Sequence, residues 1–278
     1  MADAGCDLTM REYGSSGPWV VVLHGGPGAM GYMAPVARGL ADAFRVLEPW
    51  QRGSGDEPLT VARHVDDLHA LVTARCGGER PALVGHSWGA MLALAYAAAH
   101  PLGARAVILV GCGTFDPLSR DHLRVALEER LDSSLRDRLA RLESEIPDPD
   151  RRLEVMGNLI LPLYSYDLIT SEQELATCDA RAHDETWDDM VRQQDRGIYP
   201  AAFSTIDVPV LMLHGVDDPH PGRMIRTSLQ PYVPHLEYHE WHNCGHYPWL
   251  EREVCDDFFA VLHRWLAWRM EQGSAGDG

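Results

Sequence analysis

Short apolar runs alternate with amphipathic stretches along most of the chain. Trp19–His24, Arg45–Trp50, Ala82–His86, Ala104–Val110, Pro209–His214 and Leu236–Trp241 are brief and mostly β-branched or aliphatic, so each predicts a strand. Thr60–Arg75, Trp88–His100 and Trp249–Met270 repeat apolar residues at helical spacing, and Pro101 gives the second a stop. Strands separated by helices predict a mostly parallel sheet covered on both faces, because parallel neighbours need crossover connections. The alternation breaks between Asp116 and Thr205, where charged helical patterns, Pro147 and Pro149 replace strand-like runs. The expected organisation is an α/β core from residues 1–115 and 206–278, with a helical cap inserted at 116–205. Within that insertion, Leu159-Ile-Leu-Pro-Leu-Tyr-Ser-Tyr166 is apolar enough either to line a cavity beneath the cap or to pack cap helices on one another. The tail Gly273–Gly278 reads as disordered.

Composition narrows the functional classes. The longest apolar runs, Val20–Leu23, Ala106–Val110 and Val208–Leu213, fall far short of the roughly 20 residues that cross a bilayer. Residues Met1–Leu8 lack a basic segment followed by an apolar one, so a cytoplasmic location is expected. A formal charge of −17 repels phosphate backbones and anionic lipids, and neither a nucleic-acid nor a membrane partner is expected. The 24 basic residues are all arginine, which excludes Schiff-base lysine chemistry and a P-loop lysine. Six cysteines form no CxxC pair and read as reduced thiols. His242, Cys244 and His246 lie close together, but at a spacing that matches no common metal site.

The segment with the clearest chemistry is Ala82-Leu-Val-Gly-His-Ser-Trp-Gly-Ala90, a strand that runs into Gly-x-Ser-x-Gly and then into an Ala-rich helix. A serine hydroxyl needs a tight strand-to-helix turn to project it toward a base, and small residues at Gly85 and Gly89 make room for that turn. Ser87 is therefore the expected nucleophile. The developing oxyanion needs the N–H after the serine, on Trp88, and one from a loop after an earlier strand. His24-Gly-Gly-Pro-Gly28 is such a loop, and Gly26 can present the second N–H. The same loop gives a competing match, since Gly26-Pro-Gly-Ala-Met-Gly31 fits GxGxxG with Glu48 on the next strand; that nucleotide reading leaves Ser87 unexplained.

Partners for Ser87 should follow in the order acid, then histidine. Pro209–His214 leads into Gly215-Val-Asp-Asp-Pro219, where the Gly-x-x-Asp spacing selects Asp218 over Asp217; Asp116, after an earlier strand, is the alternative. Among 14 histidines, His246 lies in a loop between the last strand and the last helix, and His242 is the runner-up.

Together, HGGPG at 24–28, Gln51-Arg-Gly-Ser-Gly55, Gly85-His-Ser-Trp-Gly89, His214-Gly-Val-Asp-Asp218 and Gly245-His-Tyr-Pro-Trp249 resemble the α/β-hydrolase superfamily, and within it the proline iminopeptidase branch. The resemblance covers the core and hardly touches the cap. It implies an α/β-hydrolase fold and a serine hydrolase with a Ser87–His246–Asp218 triad, an acyl-enzyme and no cofactor or metal. The implied partner is a small-molecule or short-peptide substrate, such as an N-terminal aminoacyl (prolyl) amide. Esterases, lactonases and C–C bond hydrolases share the triad, and a non-catalytic small-molecule-binding protein can share the fold. Two positions depart from the iminopeptidases: Trp50 stands where they carry aspartate, and His86 where they usually carry glycine. In that branch cap carboxylates receive the substrate amino group. Glu172, Glu174, Glu185, Asp188 and Asp189 are the positions here that could do so or could form a solvated acidic face.

Overall fold

The computed structural model describes residues 8–171 and 174–271; Cys6, Glu172 and the tail 273–278 lie outside the described residues. In chain order the elements are β1 (Met10–Tyr13), β2 (Trp19–Leu23), β3 (Ala29–Met30), α1 (Ala34–Leu40), β4 (Arg45–Pro49), α2 (Val61–Arg75), β5 (Ala82–His86), α3 (Trp88–Ala99) and β6 (Ala106–Val110). The 116–205 segment then contributes α4 (Pro117–Arg130), α5 (Ser133–Glu145), α6 (Pro149–Ile160), β7 (Thr177–Cys178) and α7 (Ala180–Asp195). The chain returns with β8 (Val210–Gly215), α8 (Gly222–Leu229), β9 (Glu237–Trp241) and α9 (Cys255–Glu271).

Seven strands form one sheet in the order β1-β4-β2-β5-β6-β8-β9, parallel except for the β1–β4 pair. Alternation along each strand divides the core in two. Val21, Leu23, Leu83, Leu109 and Met212 face α2, α3 and α8, whereas Val20, Val22, Val84, Ile108 and Leu213 face α1 and α9. The six expected strands are all present. From β2 the chain builds β4 on one side and then crosses to β5 on the other, so the carboxyl ends of β2 and β5 flank a topological switch point, where open α/β sheets place their ligands.

The observed elements differ from the sequence-based expectation at several places. Helix α1 and helix α8 are too short for periodicity to separate them from loop, and α1 contains Gly39, whose added Cβ would fall 2.2 Å from the Phe259 ring on α9. The last helix starts at Cys255 rather than Trp249. Glu251 is fully buried just ahead of it and accepts the backbone N–H groups of Gly245 (2.8 Å), Tyr166 (2.9 Å) and Asp167 (2.7 Å), which places it in a turn. The 116–205 segment also holds one strand, β7, which pairs antiparallel with β3. Its helices α4 to α7 begin at Asp116, Asp132, Asp148 and Asp179, each accepting from a backbone N–H of its first turn, so these four carboxylates cap helices.

At the junction of β5 and α3 backbone packs directly on backbone. An added Cβ on Gly89 would lie 2.3 Å from the Leu23 carbonyl oxygen and 2.6 Å from that of His24, and one on Gly85 would lie 2.2 Å from the Gly89 carbonyl oxygen. Backbone cannot yield as a flexible side chain can. Gly89→Ala is therefore expected to destabilise the protein by about 3 kcal/mol or more. Urea denaturation of the purified variant checks this, and an unchanged midpoint would refute it.

Candidate active site

Ser87 stands between β5 and α3 with φ 54 and ψ −118, a left-handed conformation rare for a residue with a side chain. The turn aims it into a cavity of about 280 Å3 that it shares with Gly26, Trp88, His220 and His246. Trp88 is the first residue of α3, where N–H groups have no acceptor within the helix. On the opposite wall Gly26 holds φ 44, while the neighbouring Gly25 N–H is occupied by the Tyr32 hydroxyl at 2.6 Å. Gln51 fixes this wall. It accepts from the Trp88 indole N–H at 2.7 Å, and its own side-chain amide donates to the His24 carbonyl at 2.7 Å.

Asp218 follows β8 and is buried; its Oδ2 lies 2.6 Å from His246 Nδ1. Its Oδ1 accepts from the His220 backbone N–H (2.8 Å) and from His220 Nδ1 (3.0 Å), and His214 Nε2 lies 3.3 Å from Oδ2. Burial alone would raise this carboxyl, but the imidazoles of His246, His220 and His214 outweigh it and hold the group well below its ordinary 3.8. An ionised Asp218 makes His246 Nδ1 the protonated nitrogen, which leaves Nε2 free to accept a proton. Burial pushes His246 below 6.5 against the pull of Asp218. Asp218, His220 and His246 offer ligand atoms within 4.8 Å of one another, the one such group among the described residues. The 2.6 Å contact is a hydrogen-bond distance, so these atoms satisfy one another without an ion.

The competing residues fall elsewhere. Asp116 caps α4, accepting from Ser119 N–H at 2.9 Å and Ser119 Oγ at 2.6 Å. Asp217 accepts from the Cys244 N–H at 3.3 Å and steadies the loop before His246. His242 is exposed, and it does not join Cys244 and His246 in a cluster. The GxGxxG stretch itself contains β3 rather than opening directly into a helix, and Glu48 accepts from the Tyr13 hydroxyl at 2.8 Å.

The remaining cavity wall comes mostly from the 116–205 segment: Leu123, Leu153, Met156, Ile160, Leu175 and Trp187 make it apolar. Of the Leu159–Tyr166 run, Ile160 and Tyr164 line the cavity, whereas Leu161 and Leu163 are buried. Of the acidic positions, the four that are described do not line it. Glu174 pairs with Arg38, Glu185 accepts from Leu59 N–H at 2.9 Å, Asp189 accepts from Val61 N–H at 2.8 Å, and Asp188 is exposed. Among the described residues, the one carboxylate lining the cavity is Glu154, which pairs with Arg151. Sequence reasoning missed Glu154, Tyr32 and His220, because nothing local marks a side chain brought in by tertiary packing. Gln51 sat within a quoted motif without a role.

The profile of the family described as Alpha/beta hydrolase family matches residues 20–259. The chain belongs to this family. Among curated relatives, it is 26% identical over 286 residues to a proline iminopeptidase of Lactobacillus helveticus, covering 91% of this chain and 90% of the relative. It is 24% identical over 246 residues (82% and 76%) to a cis-3-alkyl-4-alkyloxetan-2-one decarboxylase of Shewanella oneidensis. It is 25% identical over 274 residues (90% and 88%) to a 2-hydroxy-6-oxononadienedioate/2-hydroxy-6-oxononatrienedioate hydrolase of Pseudomonas putida. This alpha/beta hydrolase is thus comparably distant from proteins named for quite different substrates.

The histidines of this hydrolase carry a consequence for stability. Burial lowers His24 and His64 to about 4 and pushes His86, His214 and His246 below 6.5. In the unfolded chain these groups take up protons near 6.5, while the folded protein keeps them neutral to lower pH. Between those values the unfolded state binds more protons, so stability falls as pH falls. The urea midpoint is expected to drop steadily from pH 7 to pH 4.5. A midpoint flat across that window would contradict the neutral, buried assignment.

Proposed function

We propose that this alpha/beta hydrolase is a serine hydrolase that forms an acyl-enzyme, with the 116–205 segment as its cap. The observation that carries the reading is the conformation of Ser87, held at positive φ at the head of α3 in the same cavity as His246, whose Nδ1 is bonded to buried Asp218. In this mechanism His246 Nε2 takes the Ser87 proton as Oγ attacks a carbonyl carbon, and the N–H groups of Gly26 and Trp88 stabilise the oxyanion. His246 returns the proton to the leaving group. Water then attacks the acyl-enzyme, His246 taking its proton and giving one back to Ser87.

The charge of the cavity selects among substrates. No arginine lines it among the described residues, and the chain has no lysine, so a dicarboxylate would be buried without a counter-charge and beside Glu154. That disfavours substrates of the dioate type. The apolar walls favour a small neutral ester or lactone with an alkyl or aryl acyl group, in a cavity at the low end of the usual range of about 300–1,000 Å3. Glu154 supports a second reading, an aminopeptidase whose substrate ammonium meets that carboxylate.

Ser87→Ala and His246→Ala are each expected to lower turnover of a p-nitrophenyl ester by about 10³-fold or more, with little further loss in the double variant. Retention of near-full turnover by either folded single variant would remove the triad. The two substrate readings separate on kcat/KM for a p-nitrophenyl ester, a prolyl arylamide and its N-acetylated analogue. A faster ester, with Glu154→Gln leaving it unchanged, is expected. A prolyl arylamide preferred over its acetylated form by roughly 10- to 150-fold, with the preference lost in Glu154→Gln, would establish the aminopeptidase instead.

A further inference from the structure

One hydrogen-bonded chain joins the two sides of the cavity. His86 Nε2 lies 3.0 Å from the carbonyl oxygen of His246, and His86 Nδ1 lies 2.7 Å from the Tyr32 hydroxyl, which accepts from Gly25 N–H at 2.6 Å. Tyr32, His86 and His246 are each less than a tenth exposed, so water does not compete for these atoms. A carbonyl only accepts, which places a proton on His86 Nε2. Burial keeps this imidazole neutral, its titration pushed well below 6.5. Nδ1 is then an acceptor, and the single hydroxyl proton of Tyr32 points at it. Each donor therefore has one acceptor and the direction is fixed: Gly25 N–H to Tyr32 Oη, Tyr32 O–H to His86 Nδ1, His86 Nε2–H to His246 C=O.

We propose that Tyr32 and His86 are positioning residues that lock the Gly25–Gly26 oxyanion loop and the backbone of His246 into one register, so that nucleophile, base and oxyanion donors stay aligned. This rests on the acyl-transfer reading above. The chain also settles which groups remain for the oxyanion. Tyr32 lines the cavity, but its hydroxyl proton is engaged with His86, and the Gly25 N–H is engaged with Tyr32. The donors left at this wall are Gly26 and Trp88. Room for any other arrangement is small, since an added Cβ on Gly25 would fall 2.7 Å from the Tyr32 hydroxyl and 2.6 Å from both the His86 carbonyl oxygen and Ser87 Cβ. The chain of bonds gives His86, immediately ahead of the nucleophile, a physical role.

The test measures phosphonylation of Ser87 by a fluorophosphonate probe, separating the maximal rate from the half-saturating probe concentration. Tyr32→Phe, His86→Leu and His86→Gln are compared with the unaltered protein, each first shown to be folded by a cooperative melt. Tyr32→Phe and His86→Leu are each expected to lower the maximal rate by roughly 10- to 100-fold, the scale of a small misplacement of reacting groups, at unchanged half-saturation. Their double variant should be no slower than the slower single variant, because both break the same chain. His86→Gln carries a donor and an acceptor and should recover part of the rate. Multiplicative losses, a loss in Tyr32→Phe with His86→Leu unaffected, or equal rates for Leu and Gln at position 86 would each overturn the proposal. Unchanged maximal rates in variants of a protein whose Ser87 is labelled would overturn it alone, whereas failure to label Ser87 in the unaltered protein would remove the acyl-transfer reading and this inference with it.

Discussion

The fold turns on the close approach of backbone to backbone beneath Ser87. The loop after β2, the end of β5 and the start of α3 meet where Gly25, Gly85 and Gly89 leave no volume for a side chain. That contact holds Ser87 in a conformation it would not adopt alone, and the cost of order 1–3 kcal/mol for such a residue is offset by two buried layers of sheet and helix around it. Because the loop carrying Gly26 and the turn carrying Ser87 are pressed together, the geometry of one constrains that of the other. The parallel sheet places both at one switch point, and β8 and β9 deliver Asp218 and His246 to the same edge.

Around this contact buried carboxylates and amides gather several hydrogen-bond partners each. Asp218 takes donors from His220 and His246 and is flanked by His214. Glu251 gathers N–H groups from the loop before His246 and from Tyr166 and Asp167, midway along the 116–205 segment. Gln51 links the Trp88 indole to the His24 carbonyl. Each arrangement lets a buried polar group exist without a large desolvation penalty, and each removes a degree of freedom from the residues that line the cavity. Rigidity here follows from satisfied hydrogen bonds rather than from apolar packing alone.

The sequence made some of this legible and hid the rest for identifiable reasons. Strand alternation, the Gly-x-Ser-x-Gly turn and the acid and histidine positions after β8 and β9 are local patterns with local causes, so Ser87, Asp218 and His246 could be singled out before their proximity was known. Asp217 could be set below Asp218 by spacing, and Asp116 stood as an alternative after an earlier strand; Asp217 accepts from Cys244 N–H and Asp116 from Ser119 N–H. The cap carboxylates could not be sorted that way. Glu185 and Asp189 look available for a ligand along the chain, yet each is engaged by a backbone N–H on α2's approach, Leu59 or Val61, more than a hundred residues away. Glu154, in a helix with no distinguishing motif, is the one that reaches the cavity. Tertiary contacts at large sequence separation decide such roles, and no window along the chain contains them.

The short β3–β7 ribbon has a consequence of its own. Ala176 N–H bonds Met30 carbonyl at 2.8 Å, Asp179 N–H bonds Gly28 carbonyl at 2.8 Å, and His183 Nδ1–H bonds Pro27 carbonyl at 3.0 Å, so three residues of the 116–205 segment grip the stretch directly after Gly26. An added Cβ on Gly28 would fall 2.2 Å from the Asp179 carbonyl oxygen, which shows how closely the two strands are fitted. The 116–205 segment is therefore tied to the rest of the chain at a place far from its two ends. A replacement for that segment would lack the partner for residues 27–31 and would shift the loop beside it. Residues 176–183 and 27–31, far apart in the sequence, act as one fitted pair.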